Sequence, residues 1–158
     1  MQKKLSSSAE VKFFSLNYNQ VLKELRGYAK KCIDKGAKAV ILIGSLARKD
    51  YTAFSDADII VISDNVPPRP IDRIGEFIDP ALPIDIEPRI YTSKEILMMA
   101  KKRSKIVKEI VEHGVLLLGD EKIIEKLREI LRNSINKYKG NPTPKISKRS
   151  YNQGKIFK

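Results

Sequence analysis

Apolar residues recur along this chain with two different periods, and these periods predict helices and strands in turn. From Tyr18 they return every three to four positions until Gly36, which is the spacing of one face of a helix. Short runs rich in β-branched residues follow at 38–43 and 57–62, and they predict two strands. The residues between them, 46–55, are expected to form a turn. The first predicted elements are therefore a helix and two strands.

The second half of the chain continues this alternation. Three prolines make 64–70 a loop, because proline disrupts both helices and central strands. A short helix is expected at 71–78. The segment 84–91 alternates apolar with polar residues, which predicts a strand with one polar face. The remaining predicted elements are two helical pieces that begin at about 93 and end at His113, a short strand at 115–118 and a helix at 121–138.

This order of elements indicates an α+β or α/β fold in which helices flank a mixed β-sheet. A chain of 158 residues is most simply one folded unit with its own core. We expect it to divide into a flexible N-terminal segment at 1–17, a folded domain at 18–119, a C-terminal helix packed on that domain at 120–138, and a basic disordered tail at 139–158.

Net charge adds a candidate class of partner to this picture. The chain has 31 Lys and Arg residues against 19 Asp and Glu, a net charge of +12. Such an excess favours an anionic partner such as a nucleotide or a nucleic acid, although it also promotes solubility. A single cysteine, Cys32, excludes an internal disulfide and fits a reducing compartment. No apolar run approaches the length of a membrane span, so a cytoplasmic protein without a membrane partner is expected.

Two aspartates at the start of the second strand suggest metal chemistry. Asp56 and Asp58 are two residues apart, so an extended backbone directs both carboxylates to the same side. Paired carboxylates repel each other unless a cation neutralises them. Hard oxygen ligands favour Mg²⁺ or Mn²⁺, and the chain lacks the Cys and His residues of a zinc site. The alternative is an exposed turn in which both aspartates are solvated.

A third carboxylate lies on the polar face of the strand at 84–91. If that strand is the neighbour of the Asp58 strand, Asp85 joins the pair and completes a ligand set for two metal ions. Two such ions stabilise the attacking and leaving oxygens of an in-line displacement at phosphorus. Glu87 shares the face of Asp85, so spacing alone leaves the choice between these two open.

Gly44, Ser45 and Arg48 are the candidate phosphate-binding residues. Glycine permits a positive φ and a close approach, and backbone N–H groups with the Ser45 hydroxyl can bind phosphate oxygens. Arg48 is suited to an oxygen of a triphosphate. Each of these residues alone is also typical of an ordinary turn. The segment is not a Walker-type loop, because no Gly-Lys-Ser/Thr sequence follows.

Together these motifs resemble the signature of the DNA polymerase beta-like nucleotidyltransferase superfamily, in particular its minimal, single-domain members. The stretch GSLARKDYTAFSDADIIV carries the Gly-Ser, Ala-Arg and Ser-Asp-x-Asp elements, with Ser55 as the serine. PIDIEPRIY is similar to the family's third-carboxylate strand, and KEIVEHGVLLLGD to its terminal helix and strand. Lys49 stands where the family usually has glycine, a change that could perturb the turn or add a phosphate contact.

The resemblance implies an enzyme that transfers a nucleoside monophosphate to a hydroxyl acceptor on RNA, a protein or a small molecule. It implies ATP or another NTP as the substrate, AMP as the group transferred, and pyrophosphate as the second product. It also implies that Asp56, Asp58 and Asp85 are catalytic and hold two Mg²⁺ or Mn²⁺ ions. The nucleotide-binding residues that it implies are Gly44, Ser45, Arg48 and Ser55.

Two other classes of function stay open. Small members of this superfamily act as antitoxins beside a HEPN-type ribonuclease toxin, so the chain could be a regulatory nucleotide-binding partner with little catalysis of its own. A basic RNA-binding protein that uses the tail at 139–158 is the third hypothesis. The intact carboxylates favour the enzyme, because a protein without catalysis has no reason to keep three converging charges. Acid–base catalysis by His113, the sole histidine, is not expected.

Overall fold

The computed structural model describes residues 17–52 and 54–139, with side chains up to 137, and it forms a four-stranded sheet with six helices in these residues. The helices are α1 (Tyr18–Asp34), α2 (Gly44–Arg48), α3 (Pro70–Phe77), α4 (Ser93–Lys101), α5 (Lys105–His113) and α6 (Lys122–Lys139). The strands are β1 (Ala39–Ile43), β2 (Ala57–Ile62), β3 (Ile86–Tyr91) and β4 (Val115–Gly119). The predicted flexible segment and basic tail lie outside the described residues, except for residues 17 and 139.

The sheet is mixed, as the order of elements predicted. Its strand order is β3-β2-β1-β4, with β1 antiparallel to both β2 and β4 and with β2 parallel to β3. Pro88 lies in β3, where the missing backbone N–H is tolerated because β3 is an edge strand. Helices flank this sheet, so the predicted fold class is confirmed.

Both faces of the sheet are covered, which explains why the central strands are apolar without alternation. One face packs against α1 and α3, and residues such as Leu25, Leu42 and Ile59 form its core. The other face packs against α4, α5 and α6, with Ile60 and Leu127 fully buried. Strands covered on both sides need apolar residues at every position. In the described part of the chain, no helix combines the length and apolar character needed to cross a membrane.

The segment after β1 differs from its prediction. We expected a turn from residue 46 to residue 55, but the short helix α2 begins directly after β1 and includes the first three of these residues. Five residues are too few to show a helical period, so the sequence pattern could not reveal this helix. Leu46 is fully buried and anchors α2 on the sheet.

Arg73 in α3 joins several elements on the β3 side of the sheet. Its side chain is almost fully buried, at 2% exposure. The guanidinium donates two hydrogen bonds to the Glu95 carboxylate, at 2.7 and 3.0 Å. It also donates to the backbone carbonyls of Pro67, Pro68 and Ile90, at 2.6, 2.8 and 3.2 Å. These bonds hold the proline-rich loop, β3 and the start of α4 together.

Replacing Arg73 should therefore destabilise the fold strongly. Arg73→Met removes the cation that pairs with Glu95 and the donor to three backbone carbonyls, and we expect the free energy of unfolding to fall by about 3 kcal/mol. Arg69→Met is the matched control, because Arg69 pairs with Asp72 at the surface and its side chain is 76% exposed. Urea denaturation should show a change within about 0.5 kcal/mol for the control. An equally small loss in both variants would contradict the role of Arg73.

Candidate active site

The candidate site lies at the end of the sheet where β1 ends and where β2 and β3 begin. This convergence follows from topology, because β2 runs antiparallel to β1 and parallel to β3. Asp58 pairs with Ile43 of β1 on one side and with Glu87 of β3 on the other. The residue that follows β1, Gly44, is therefore brought against the first carboxylate inside β2.

Gly44 is required at this position for two reasons. Its backbone has a φ of +75°, in the left-handed region that side chains disfavour. A Cβ atom on Gly44 would also lie 2.2 Å from Oδ2 of Asp58. The Gly-Ser motif predicted from the sequence thus allows the end of β1 to approach the Asp58 carboxylate closely.

The electrostatic environment of Asp58 is dominated by other carboxylates. Burial raises the pKa of Asp58, and the charges of Glu87, Glu109 and Asp56 raise it further. Only Arg89 acts in the opposite direction among the causes of this shift. Its Nη2 atom lies 3.7 Å from Oδ1 of Asp58 and donates to Oε1 of Glu87 at 2.9 Å. The four carboxylates of the site outnumber its two arginines, Arg48 and Arg89, and this excess of negative charge favours a cationic ligand.

The two other predicted carboxylates lie just outside the strands. Asp56 precedes β2 and is exposed, and Asp85 precedes β3 and is exposed. The backbone carbonyl of Asp85 accepts a hydrogen bond from the N–H of Ala57 at 2.8 Å, which aligns the two strands. The same register places Glu87, rather than Asp85, directly beside Asp58.

A cavity of about 370 Å³ opens at this end of the sheet. Its lining combines four predicted site residues with two charged residues that sequence reasoning missed. The described residues that line it are Ile43, Gly44, Ser45, Arg48, Asp58, Arg89 and Glu109. Ser55 is not among them; its Oγ accepts a hydrogen bond from the N–H of Thr52 at 2.9 Å and closes the turn before β2.

Arg48 is turned towards α5. Its Nη1 atom forms an ion pair with Oε1 of Glu109, and its Nε donates to Oδ2 of Asp50 at 3.2 Å. The same Oε1 atom of Glu109 accepts the N–H of Gly44 at 3.1 Å. No local pattern could have identified Glu109, which is 65 residues away from Gly44 along the chain. Arg89 was detectable as a polar residue on the same strand face as Glu87.

Lys49 preserves the turn although it replaces the usual glycine of the family. It ends α2 with a φ of 64° and a ψ of 25°, the left-handed conformation that glycine adopts without strain. Its Nζ atom lies 5.5 Å from the centroid of the Tyr18 ring. Tyr18 in turn stacks on Tyr51 and donates its hydroxyl to the carbonyl of Leu46 at 2.9 Å. A cation–π contact contributes about 0.5 to 1 kcal/mol, which offsets part of the strain of about 1 kcal/mol that a side chain costs in this conformation.

The donor chemistry of the site fits a divalent cation, although the full ligand set is not assembled. In residues 17–52 and 54–137, no group of three or more His, Cys, Asp or Glu side chains is arranged to hold a metal ion. Asp56 and Asp58 nevertheless supply the carboxylate oxygens that Mg²⁺ and Mn²⁺ prefer. Burial and the neighbouring carboxylates raise the pKa of Asp58, so a bound cation would favour the charged form of this side chain.

A comparison of the sequence with known protein families identifies the family of this chain. Residues 22–132 match the nucleotidyltransferase domain, and this match covers more than half of the chain. The chain therefore belongs to the nucleotidyltransferase domain family. The resemblance inferred from the Gly-Ser and Asp-x-Asp motifs is confirmed at this level.

One curated protein has a related sequence over part of its length. A protein of Methanocaldococcus jannaschii that is described as a candidate protein adenylyltransferase is 34% identical over 89 residues. That alignment covers 49% of this chain and 60% of the relative, less than two thirds of its length.

Two solved structures are similar to this chain at a lower sequence identity, 22% each. One is a candidate nucleotidyltransferase from Sulfolobus solfataricus, with a TM-score of 0.48, 22% identity, and coverage of 77% of this chain and 96% of the other. The second is a toxin–antitoxin structure with AMP-PNP, with a TM-score of 0.46, 22% identity, and coverage of 78% and 88%.

Adding one methyl group at Gly44 should disrupt this site. Gly44→Ala introduces both the strained φ and the clash with Asp58, so we expect the free energy of unfolding to fall by about 2 kcal/mol or more. The control is Gly27→Ala in α1, where no atom lies within 4 Å of the added Cβ. This change should instead stabilise the protein by up to about 1 kcal/mol, because alanine favours a helix. Chemical denaturation measures both, and a Gly44→Ala variant as stable as Gly27→Ala would contradict the close approach.

Proposed function

We propose that this protein transfers AMP from ATP to a hydroxyl acceptor and releases pyrophosphate, with Mg²⁺ or Mn²⁺ as the cofactor. The observation that carries the proposal is that Gly44, Arg48 and Asp58 line the same cavity. Phosphate-binding donors and a metal-binding carboxylate are the two requirements of nucleotidyl transfer. The membership of the chain in the nucleotidyltransferase domain family supports the same reaction.

Each part of the site has a role in this proposal. The backbone of Gly44 and Ser45 and the guanidinium of Arg48 bind the β- and γ-phosphates. Asp56 and Asp58 hold the cations, which supply charge stabilisation at the reacting phosphoryl oxygens when bound. Most of the rate enhancement then comes from positioning and charge neutralisation.

The reaction is a displacement at the α-phosphorus. The acceptor oxygen forms a bond to this phosphorus, the bond to the bridging oxygen of the β-phosphate breaks, and pyrophosphate leaves with that electron pair. The acceptor hydroxyl loses its proton to a carboxylate of the site or to solvent. The protein aligns the two oxygens and excludes competing geometries.

A carboxylate on the β3 side is the remaining ligand in this proposal. Asp85, the residue predicted from the motif, stays a candidate. Glu87 is the stronger one on geometric grounds, because it pairs with Asp58 in the strand register and contributes to the raised pKa of Asp58.

The acceptor that we propose is a hydroxyl group of a protein. The description of the M. jannaschii relative as a candidate protein adenylyltransferase supports it. The net charge of +12 would also suit RNA, so RNA is tested beside protein. The HEPN-type partner remains a prediction from the sequence resemblance.

The first test combines nucleotide binding with transfer. The wild type should become more heat-stable with ATP and Mg²⁺, by mass action on the folded state, and should transfer label from α-labelled ATP to a component of a lysate or of total RNA. Asp56→Asn combined with Asp58→Asn should lose both effects. Asp34→Asn combined with Glu112→Gln is the charge-matched control, because it removes two surface carboxylates whose side chains are 66% and 65% exposed. A double variant that keeps the thermal shift and the labelling would rule out these aspartates as the metal ligands.

The second test separates the two candidate carboxylates on β3. Glu87→Gln should lower the rate of transfer at least tenfold while ATP binding stays within about threefold, because this ligand contributes more to chemistry than to triphosphate binding. Asp85→Asn should have the smaller effect on the rate. Single-turnover kinetics with calorimetric binding distinguish the two. The reverse order of effects would assign the ligand to Asp85.

A further inference from the structure

Glu109 occupies the donors that the proposed function assigns to the nucleotide. Its Oε1 atom accepts the N–H of Gly44 at 3.1 Å and forms the ion pair with Nη1 of Arg48. A backbone N–H beside a guanidinium is a typical arrangement for binding a phosphate oxygen. In this structure both donors are directed at one carboxylate oxygen.

A phosphate oxygen and this carboxylate oxygen exclude each other. Both are anions, both need the same two donors, and the cavity that contains them is already lined by Asp58. A triphosphate bound beside an unmoved Glu109 would face an additional negative charge at hydrogen-bonding distance from its own donors. Binding of the triphosphate at Gly44 therefore requires that Glu109 leave.

We propose that the Glu109 carboxylate fills the phosphate position of the nucleotide-free site and is displaced by the triphosphate, so that Glu109 sets the affinity for nucleotide. This inference rests on the proposed function for the identity of the displacing ligand. It makes Glu109 an affinity-determining residue that acts by competition.

The surrounding structure allows this displacement as a rotation of one side chain. Helix α5 is fixed in the core by Val107 and Ile110, which are 0% and 1% exposed. The Glu109 side chain itself is 28% exposed, so it can turn into solvent while the helix stays in place. Arg48 remains oriented during the exchange, because its Nε donates separately to Asp50.

Calorimetric titration with ATP, and separately with inorganic tripolyphosphate, both with Mg²⁺, tests the proposal. Glu109→Ala should bind each ligand about tenfold more tightly than the wild type, since it removes a charged competitor for two hydrogen bonds. The control is Glu112→Ala on the same helix, whose carboxylate is 65% exposed and lies 4.0 Å from Nε2 of His113. It removes the same charge and should leave both affinities unchanged.

Two further measurements separate competition from a structural role. Without ligand, Glu109→Ala should melt at a slightly lower temperature than the wild type, because it loses the contacts to Gly44 and Arg48. Tighter ligand binding by a less stable variant supports competition. A purely structural role would lower both the affinity for the ligand and the melting temperature. In an Arg48→Ala background, Glu109→Ala should gain less affinity, because one of the two contested donors is gone.

The outcomes also distinguish this inference from the proposed function. If the wild type binds ATP and Glu109→Ala binds it equally or more weakly, the competition by Glu109 is wrong and the proposed function stands. If neither protein binds ATP or tripolyphosphate, both the inference and the proposed function are overturned.

Discussion

The close contact between Gly44 and Asp58 is the constraint on which the site depends. Because Gly44 has no side chain, the backbone that leaves β1 can turn directly over the Asp58 carboxylate in β2. The following helix α2 then carries Ser45 and Arg48 along the same cavity. The antiparallel pairing of β1 with β2 brings the donors for phosphate and the carboxylate for metal to the same end of the sheet.

This arrangement concentrates negative charge that the rest of the fold must tolerate. Asp58 is partly buried among Asp56, Glu87 and Glu109, and Arg89 offsets only part of their repulsion. Sites that bind and transform ligands commonly keep such unfavourable charge until the ligand neutralises it. The repulsion between these carboxylates destabilises this end of the sheet. The buried hydrogen bonds of Arg73 and the apolar cores on both faces of the sheet stabilise the rest of the fold.

Local sequence patterns predicted the fold class and part of the site. Periodicity predicted the strands, and the Gly-Ser and Asp-x-Asp motifs predicted one site for Gly44 and Asp58, which the structure places in close contact. The features that could not be predicted depend on tertiary structure. The β2–β3 register, which places Glu87 beside Asp58, and the reach of Glu109 to Gly44 across 65 residues both arise from packing between distant segments. Helix α2 was missed because five residues carry no measurable period.

The central claim is that this end of the sheet binds a metal–nucleotide complex, and anomalous diffraction tests it most directly. Crystals grown with Mn²⁺ and a non-hydrolysable ATP analogue would locate the metal from its anomalous signal. We predict Mn²⁺ within about 2.3 Å of carboxylate oxygens of Asp56 and Asp58, with the terminal phosphates at the N–H of Gly44. Manganese and nucleotide bound at any other place on the protein would contradict it.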